Sequence, residues 1–260
     1  MIEDPSFYWA AIPAVILVGL TKGGMGEALA LMGVPILALV VDPVTAAAVM
    51  LPILVVMDIV SVWMWRKHGD GATLKIMLPG ALIGIAFGWA TSAWLPSYIM
   101  RLLIGIIAVT FAGRYFYNRF FASHRNNPPA RLQDPVRASL WSSIAGYASF
   151  VAHAGGAPYQ VYALPLKLAP AEYTGTAVKF FAVVNAVKLI PYFALGQLDM
   201  ANLKLSMSLF PLAPVATIAG VMIVRRMRPE VFYPYMYGMA GLAGLKLFFD
   251  GIKPLILPLL

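Results

Sequence analysis

Cysteine is absent from this chain, which excludes disulfides, iron–sulfur clusters and thiol chemistry. Charge is scarce: Asp, Glu, Lys and Arg make up only 12% of the residues, about half the share that a soluble domain carries. Histidine occurs three times, at His68, His124 and His153, too scattered in sequence to suggest a metal cage by spacing. With so few charges there is little to coat a water-facing surface. What the chain has instead is apolar sequence, 61% hydrophobic with a mean hydropathy of +0.80.

Those values predict a polytopic membrane protein. A crossing needs about 20 apolar residues, so 260 residues hold roughly six to ten crossings and leave no room for a soluble domain. The chain reads as a single transmembrane domain spanning 1–260. The 19 Lys and Arg against 11 Asp and Glu would point to nucleic acid in a soluble protein. Here they read as the positive cytoplasmic loops that fix topology, and no nucleic-acid partner is expected. The N-terminus carries Glu3 and Asp4 where a cleavable signal would carry Lys or Arg.

The apolar runs fall into two halves, 7–121 and 138–250, joined by a polar, proline-rich linker at 122–137. Laid side by side, Gly19 matches Gly146, Gly26 matches Gly156, Pro35 matches Pro165, Asp58 matches Asn185, and Gly88 matches Gly220. Offsets stay between 127, for Gly19 and Gly146, and 132, for Pro79 and Pro211, the behaviour of an internal repeat. Arg125, Arg131 and Arg137 surround the linker, Arg225, Arg226 and Arg228 mark a second turn, and Arg66, Lys67 and Lys75 a third. All three should be cytoplasmic. That assignment requires an odd number of full crossings per half, so the second half is upside down relative to the first.

The expected fold is therefore all-α, an inverted repeat with about six full spans. Both termini are predicted to be periplasmic, in a bacterial inner membrane. The first two segments of each half, 7–20 with 28–41 and 138–151 with 159–169, are short for a core near 30 Å. Each pair reads as a re-entrant or broken helix, turning at "KGGMG" in the first half and at "HAGGA" in the second.

At such a turn, unpaired backbone N–H groups and the positive end of a helix dipole favour an anion. Glycine lets those groups approach a ligand. Gly23, Gly24 and Gly26 supply one tip, Gly155 and Gly156 the other, and the two are expected to share an anion site. Lys22 and His153 add donors. Lys22 has an alternative partner in Glu27, and His153 an alternative role as a structural histidine. Lys179 is expected near mid-membrane, where an ammonium is costly and usually functional. Asn185 and its repeat mate Asp58 fall at similar depth, with Asp58 compensating a lysine or carrying a proton. Lys188 lies on roughly the opposite face from Lys179. Tyr159 and Gln160 follow the second tip and offer a hydroxyl and an amide. The Gly80, Gly84 and Gly88 stripe reads as close helix packing.

At these residues the chain resembles the TauE/SafE family of sulfite exporter-like permeases. The likeness lies in two related halves, each opening with a glycine-rich turn followed by proline, "GGMGEALALMGVP" and "GGAPYQVYALP", and it covers nearly the whole chain. It implies export of sulfite or of a small organosulfonate such as sulfoacetate, driven by an electrochemical gradient rather than ATP. The residues themselves specify an anion and leave its chemistry open, small carboxylates included. A second reading is an intramembrane enzyme acting on lipid or isoprenoid, with His153 and Asp58 as acid and base. Partners compatible with the leading reading are a small anion, the bilayer, a second copy of the chain, and a proton or other ion gradient. No cofactor or metal is expected.

Overall fold

The computed structural model describes residues 5–26, 30–41, 43–91, 97–121, 129–194 and 200–256. Regular structure among these residues is entirely helical. The elements are α1 (Pro5–Leu20), a π-helical turn (Thr21–Met25), α2 (Ala30–Leu37), α3 (Pro43–Met64), α4 (Gly71–Thr91) and α5 (Ser97–Phe120). They continue with α6 (Pro135–Ala152), α7 (Gly156–Ala163), α8 (Pro170–Ala194), α9 (Met200–Leu209), α10 (Leu212–Arg225) and α11 (Pro229–Ile256). Trp9, Ile83, Phe87, Phe193 and Phe249 are exposed, as expected where the surrounding solvent is lipid rather than water.

Among the described residues four helical stretches are long and apolar enough to cross a membrane: Phe7–Met25, Gly71–Thr91, Tyr98–Phe120 and Pro170–Pro191. A fifth is reached if α9 and α10, bent by 50° at their junction, count as one span. Within α3 the apolar stretch Ala48–Met64 is added to these.

The short-segment pairs differ from expectation. In each, the first member is longer than predicted and the second shorter, with α2 and α7 at 8 residues each. α1 is prolonged by the π-helical turn. α6 starts inside the predicted linker because Asp134 caps it, accepting from the N–H groups of Val136 and Arg137, with Pro135 in the first turn. Asp followed by Pro is a helix-start signal, and the hydropathy reading passed over it.

The chain forms two compact units, Met1–Gly69 with Pro170–Met227 and Asp70–Ala169 with Arg228–Leu260. They do not coincide with the two sequence halves, because each unit draws helices from both. In the first unit α1 and α10 run parallel, Gly19 lying against Ala216, Leu20 against Gly220 and Gly23 against Val221. α3 and α8 run antiparallel, with Asp58 opposite Asn185 and Gly69 opposite Gly175. A core of Phe7, Val15, Leu37, Met50, Ile53 and Leu205 fills the space between α1, α2, α3 and α9.

In the second unit α4 and α6 run parallel, Gly80 against Ser139, Gly84 against Ser143 and Gly88 against Phe150. The expected packing role of that glycine stripe is thus what the helices display: absent side chains let two backbones approach closely. α5 and α11 run antiparallel, with Leu102 beside Gly251, Gly105 beside Phe248 and Ala108 beside Gly244. Tyr115 stacks on Tyr237 at 3.7 Å. Gln133, just before α6, donates to Thr73 at 3.1 Å and to Asp70, so α4 and α6 begin at the same end of the unit.

Candidate functional site: a charged helix break in the first unit

The site is built where α1 stops being regular. Its last turn widens into the π form over Thr21–Met25, and Gly24 takes φ 120° and Gly26 φ 86°. A side chain is strained in that region, so these two positions are glycine for the backbone's sake. Widening the turn frees carbonyl groups from the helical ladder, and a freed polar group in an apolar interior must find a partner.

α3 supplies those partners. Asp58, Ser61 and Trp65 are spaced by three and four residues, which places them on one helical face. Asp58 Oδ1 accepts from Lys22 Nζ at 2.7 Å, Ser61 Oγ donates to the Lys22 carbonyl at 2.7 Å, and Trp65 Nε1 donates to the Gly23 carbonyl at 3.1 Å. α8 completes the set, with Asn185 Nδ2 donating to Asp58 Oδ2 at 2.7 Å.

The Lys22–Asp58 pair is largely shielded, its side chains 12% and 8% exposed. Removing two charges from water costs several kcal/mol per ion, and their attraction seldom repays more than that. Stability alone therefore gives a weak reason to keep an ammonium here. The alternative partner considered for Lys22, Glu27, lies outside the described residues.

Two further polar groups border the same tip. Thr174 on α8 sets its methyl against Gly24, and the backbone of Thr217 on α10 lies against Gly23. Both hydroxyls are buried, and neither has a hydrogen-bond partner among the described residues. A buried hydroxyl without a partner costs about 1–3 kcal/mol, and a ligand with acceptor oxygens would recover it. Lys188, one helical turn from Asn185, is buried as well.

Lys179 lies within the apolar stretch Pro170–Pro191 and is engaged by a turn rather than by the cluster around Lys22. Its ammonium donates to the carbonyls of His68, at 2.6 Å, and Arg66, at 3.3 Å, in the turn that ends α3. Arg66 and Lys67 in that turn are exposed, so Lys179 lies level with a polar helix end rather than with Asp58. Glu172 joins it there, accepting from Gly69 N at 2.7 Å and meeting His68 Nδ1 at 3.0 Å. Gly69 has φ 127° and packs on Gly175. Cations at a helix C-terminus satisfy its last carbonyls and its dipole. Arg225 acts similarly, donating to the Met64 carbonyl and lying over the Trp65 ring.

The second glycine turn belongs to the second unit. α6 ends in His153, which takes the left-handed conformation, φ 51°, with its N–H returned to the Ala148 carbonyl. Ala154 N–H returns to the same oxygen at 3.1 Å. His153 is thus a helix cap in its backbone, and its side chain is half-buried. Gly155 is helical in φ and ψ and leads into α7, where Gly156, Tyr159 and Gln160 are buried.

The structure therefore brings Lys22, Gly23, Gly24, Asp58 and Asn185 into one cluster and assigns Lys179 to another. Sequence reasoning missed Ser61, Trp65, Thr174, Thr217 and the Glu172–His68 contact. The pattern Asp58-x-x-Ser61-x-x-x-Trp65 was legible as a polar stripe on an apolar helix. The two threonines carried no signal, because threonine is unremarked in any membrane helix.

A charge pair buried at a helix break, inside a bundle of long apolar helices, is the construction of a membrane permease. The family model for the sulfite exporter TauE/SafE matches residues 11–247, and the chain belongs to that family of membrane transporters for sulfur-containing anions. No curated protein and no solved structure matches it.

Proposed function

We propose that this chain is a secondary transporter that exports sulfite or a small organosulfonate such as sulfoacetate by alternating access. The observation that carries the proposal is the ammonium of Lys22, held inside the first unit at a helix break that α3 stabilises. An oxyanion presents several acceptor oxygens. Lys22 and the hydroxyls of Thr174 and Thr217 are donors of the kind it requires. His153, Gly155, Gly156, Tyr159 and Gln160 are the second half's candidates, with Asn185, Lys179 and Lys188 as further polar contributors.

The helix pairing supports an inverted repeat. Matched helices α3 and α8 run antiparallel, and so do matched helices α5 and α11. The parallel pair α1 with α10 corresponds, helix for helix, to the parallel pair α6 with α4. Repeat mates Gly19 and Gly146 even occupy the same role, each against an alanine of its partner helix, Ala216 and Ala81. Such architecture suits alternating access. The proposed setting is the bacterial inner membrane, with periplasmic termini.

The test is counterflow of labelled sulfite and sulfoacetate in proteoliposomes, with a small dicarboxylate as competitor. Saturable flux of the sulfur anions that Lys22→Gln abolishes is the expected result. Flux carried by the carboxylate alone would reassign the substrate, and no flux of any anion would end the transporter reading.

A further inference from the structure

Asp58 has both carboxylate oxygens occupied by donors, Lys22 on Oδ1 and the Asn185 amide on Oδ2. We infer that Asp58 is the coupling site of this transporter, taking up one proton for each anion that displaces it from Lys22. The inference rests on the proposed reading of Lys22 as a substrate ligand.

The argument starts from a count of charges. Lys22 can neutralise one negative group at close range, and in the structure that group is Asp58. An incoming anion that takes the ammonium leaves a shielded carboxylate beside a second negative charge, and a proton bound to that carboxylate removes the repulsion between them. Few charged side chains stand on the other elements packed against α3. Among the described residues α1 and α2 contain no charged side chain, and Lys204 on α9 is exposed. On α10, Arg225 is engaged at the Met64 end of α3. On α8, Glu172 and Lys179 are engaged with the 66–69 turn. Lys188, one helical turn from Asn185, is the buried cation on that helix.

Asn185 is suited to both protonation states. Its NH₂ group donates to the carboxylate, and a half-turn of the amide presents its carbonyl oxygen to a carboxylic acid O–H. A leucine there could serve neither state, and an aspartate would repel the carboxylate. The repeat has Asp at 58 and Asn at 185, so it provides one site for a proton and one neutral partner.

The step balances simply. A proton from the aqueous side that the anion enters forms an O–H bond on Asp58. When the anion leaves, that proton departs to the opposite side and the Lys22–Asp58 pair re-forms. A dianion such as sulfoacetate then crosses with one net negative charge, which an inside-negative potential drives outward.

The experiment is calorimetric titration of the purified protein with sulfoacetate, whose acid groups stay ionised above about pH 6, in buffers of different ionisation enthalpy. The wild type is expected to take up about one proton per anion, and its affinity should fall about tenfold per pH unit as pH rises. Asp58→Asn should bind sulfoacetate with no proton uptake and with a flat pH profile. In proteoliposomes, lumenal pyranine should report proton movement in the direction of sulfoacetate flux. Sulfoacetate binding without proton uptake by the wild type overturns the coupling site and leaves the transporter reading intact, as does proton uptake that persists in Asp58→Asn. Absence of binding of both sulfoacetate and sulfite by the wild type takes both readings down, and binding of sulfite alone overturns the coupling step as written for a dianion.

Discussion

Asn185 donates its amide to Asp58 across the antiparallel contact of α3 and α8, at 2.7 Å and a separation of 127 residues. That separation is the offset at which Gly19 matches Gly146. Two positions equated by sequence repetition alone are bonded to each other, as residues near the axis of a two-fold repeat would be.

The charge pair gives the first prediction. Lys22→Ala or Asp58→Ala strips a shielded ion of its partner, which typically costs about 3–5 kcal/mol. The double variant removes both charges and should recover a large part of that loss. Thermal unfolding in detergent measures the cycle. A double variant no more stable than the singles would show that the two residues do not act as a pair.

Glycine substitutions separate packing from ligand approach. A Cβ at Gly23 would lie 2.5 Å from the Thr217 carbonyl oxygen, so Gly23→Ala should lower the melting temperature. Gly113 on α5 has nothing within 4 Å of a built Cβ, and alanine there gains helix propensity of about 1 kcal/mol. Gly24 is unsuited to such a test because its φ of 120° strains any side chain. Gly156, in α7 and absent from the positive-φ glycines, is where Gly→Ala should reduce sulfoacetate transport.

Trp65→Phe replaces the buried indole with a smaller aromatic ring and removes its N–H, leaving the Gly23 carbonyl without its donor. The expected loss is about 1–3 kcal/mol, with faster hydrogen exchange confined to the turn after α1. Uniform destabilisation with unchanged exchange in that turn would mean the indole N–H holds nothing there.

Lys179→Met should loosen the 66–69 turn. Both acceptors are backbone carbonyls in a partly exposed turn, so the stability effect should be modest, about 1 kcal/mol. Limited proteolysis at Arg66 and Lys67 is the readout, and an unchanged cleavage rate would argue against the clamp.

Single cysteines at Lys67, Arg131 and Arg226 should react with an impermeant maleimide only after the membrane is opened. Met64 meets Arg225 within the first unit, and Asp70 meets Gln133 within the second. Labelling of any of the three from outside intact cells would overturn the proposed topology.

Helices were legible because composition and apolar run length nearly dictate them, and Asp58 and Lys22 stood out because charge is rare in such sequence. Lys22 was matched with Glu27, and Asp58 with a lysine left unnamed or with a proton, since hydropathy says nothing about which helices touch. The partners of Lys179 were hidden for the same reason: α8 extends past the end of α3 and sets the ammonium against Arg66 and His68.

The distribution of helices between the two units bears on how the protein is made. The first unit cannot close until α8, α9 and α10 have left the ribosome, because it joins Met1–Gly69 to Pro170–Met227. Through all of that synthesis the amino-terminal helices must wait in the bilayer with a lysine inside them. Lys22 and Asp58 are only 36 residues apart, so the ammonium has its counter-charge as soon as α3 is inserted. The nascent chain can therefore hold its most awkward residue in lipid as a neutral pair long before Asn185 is translated.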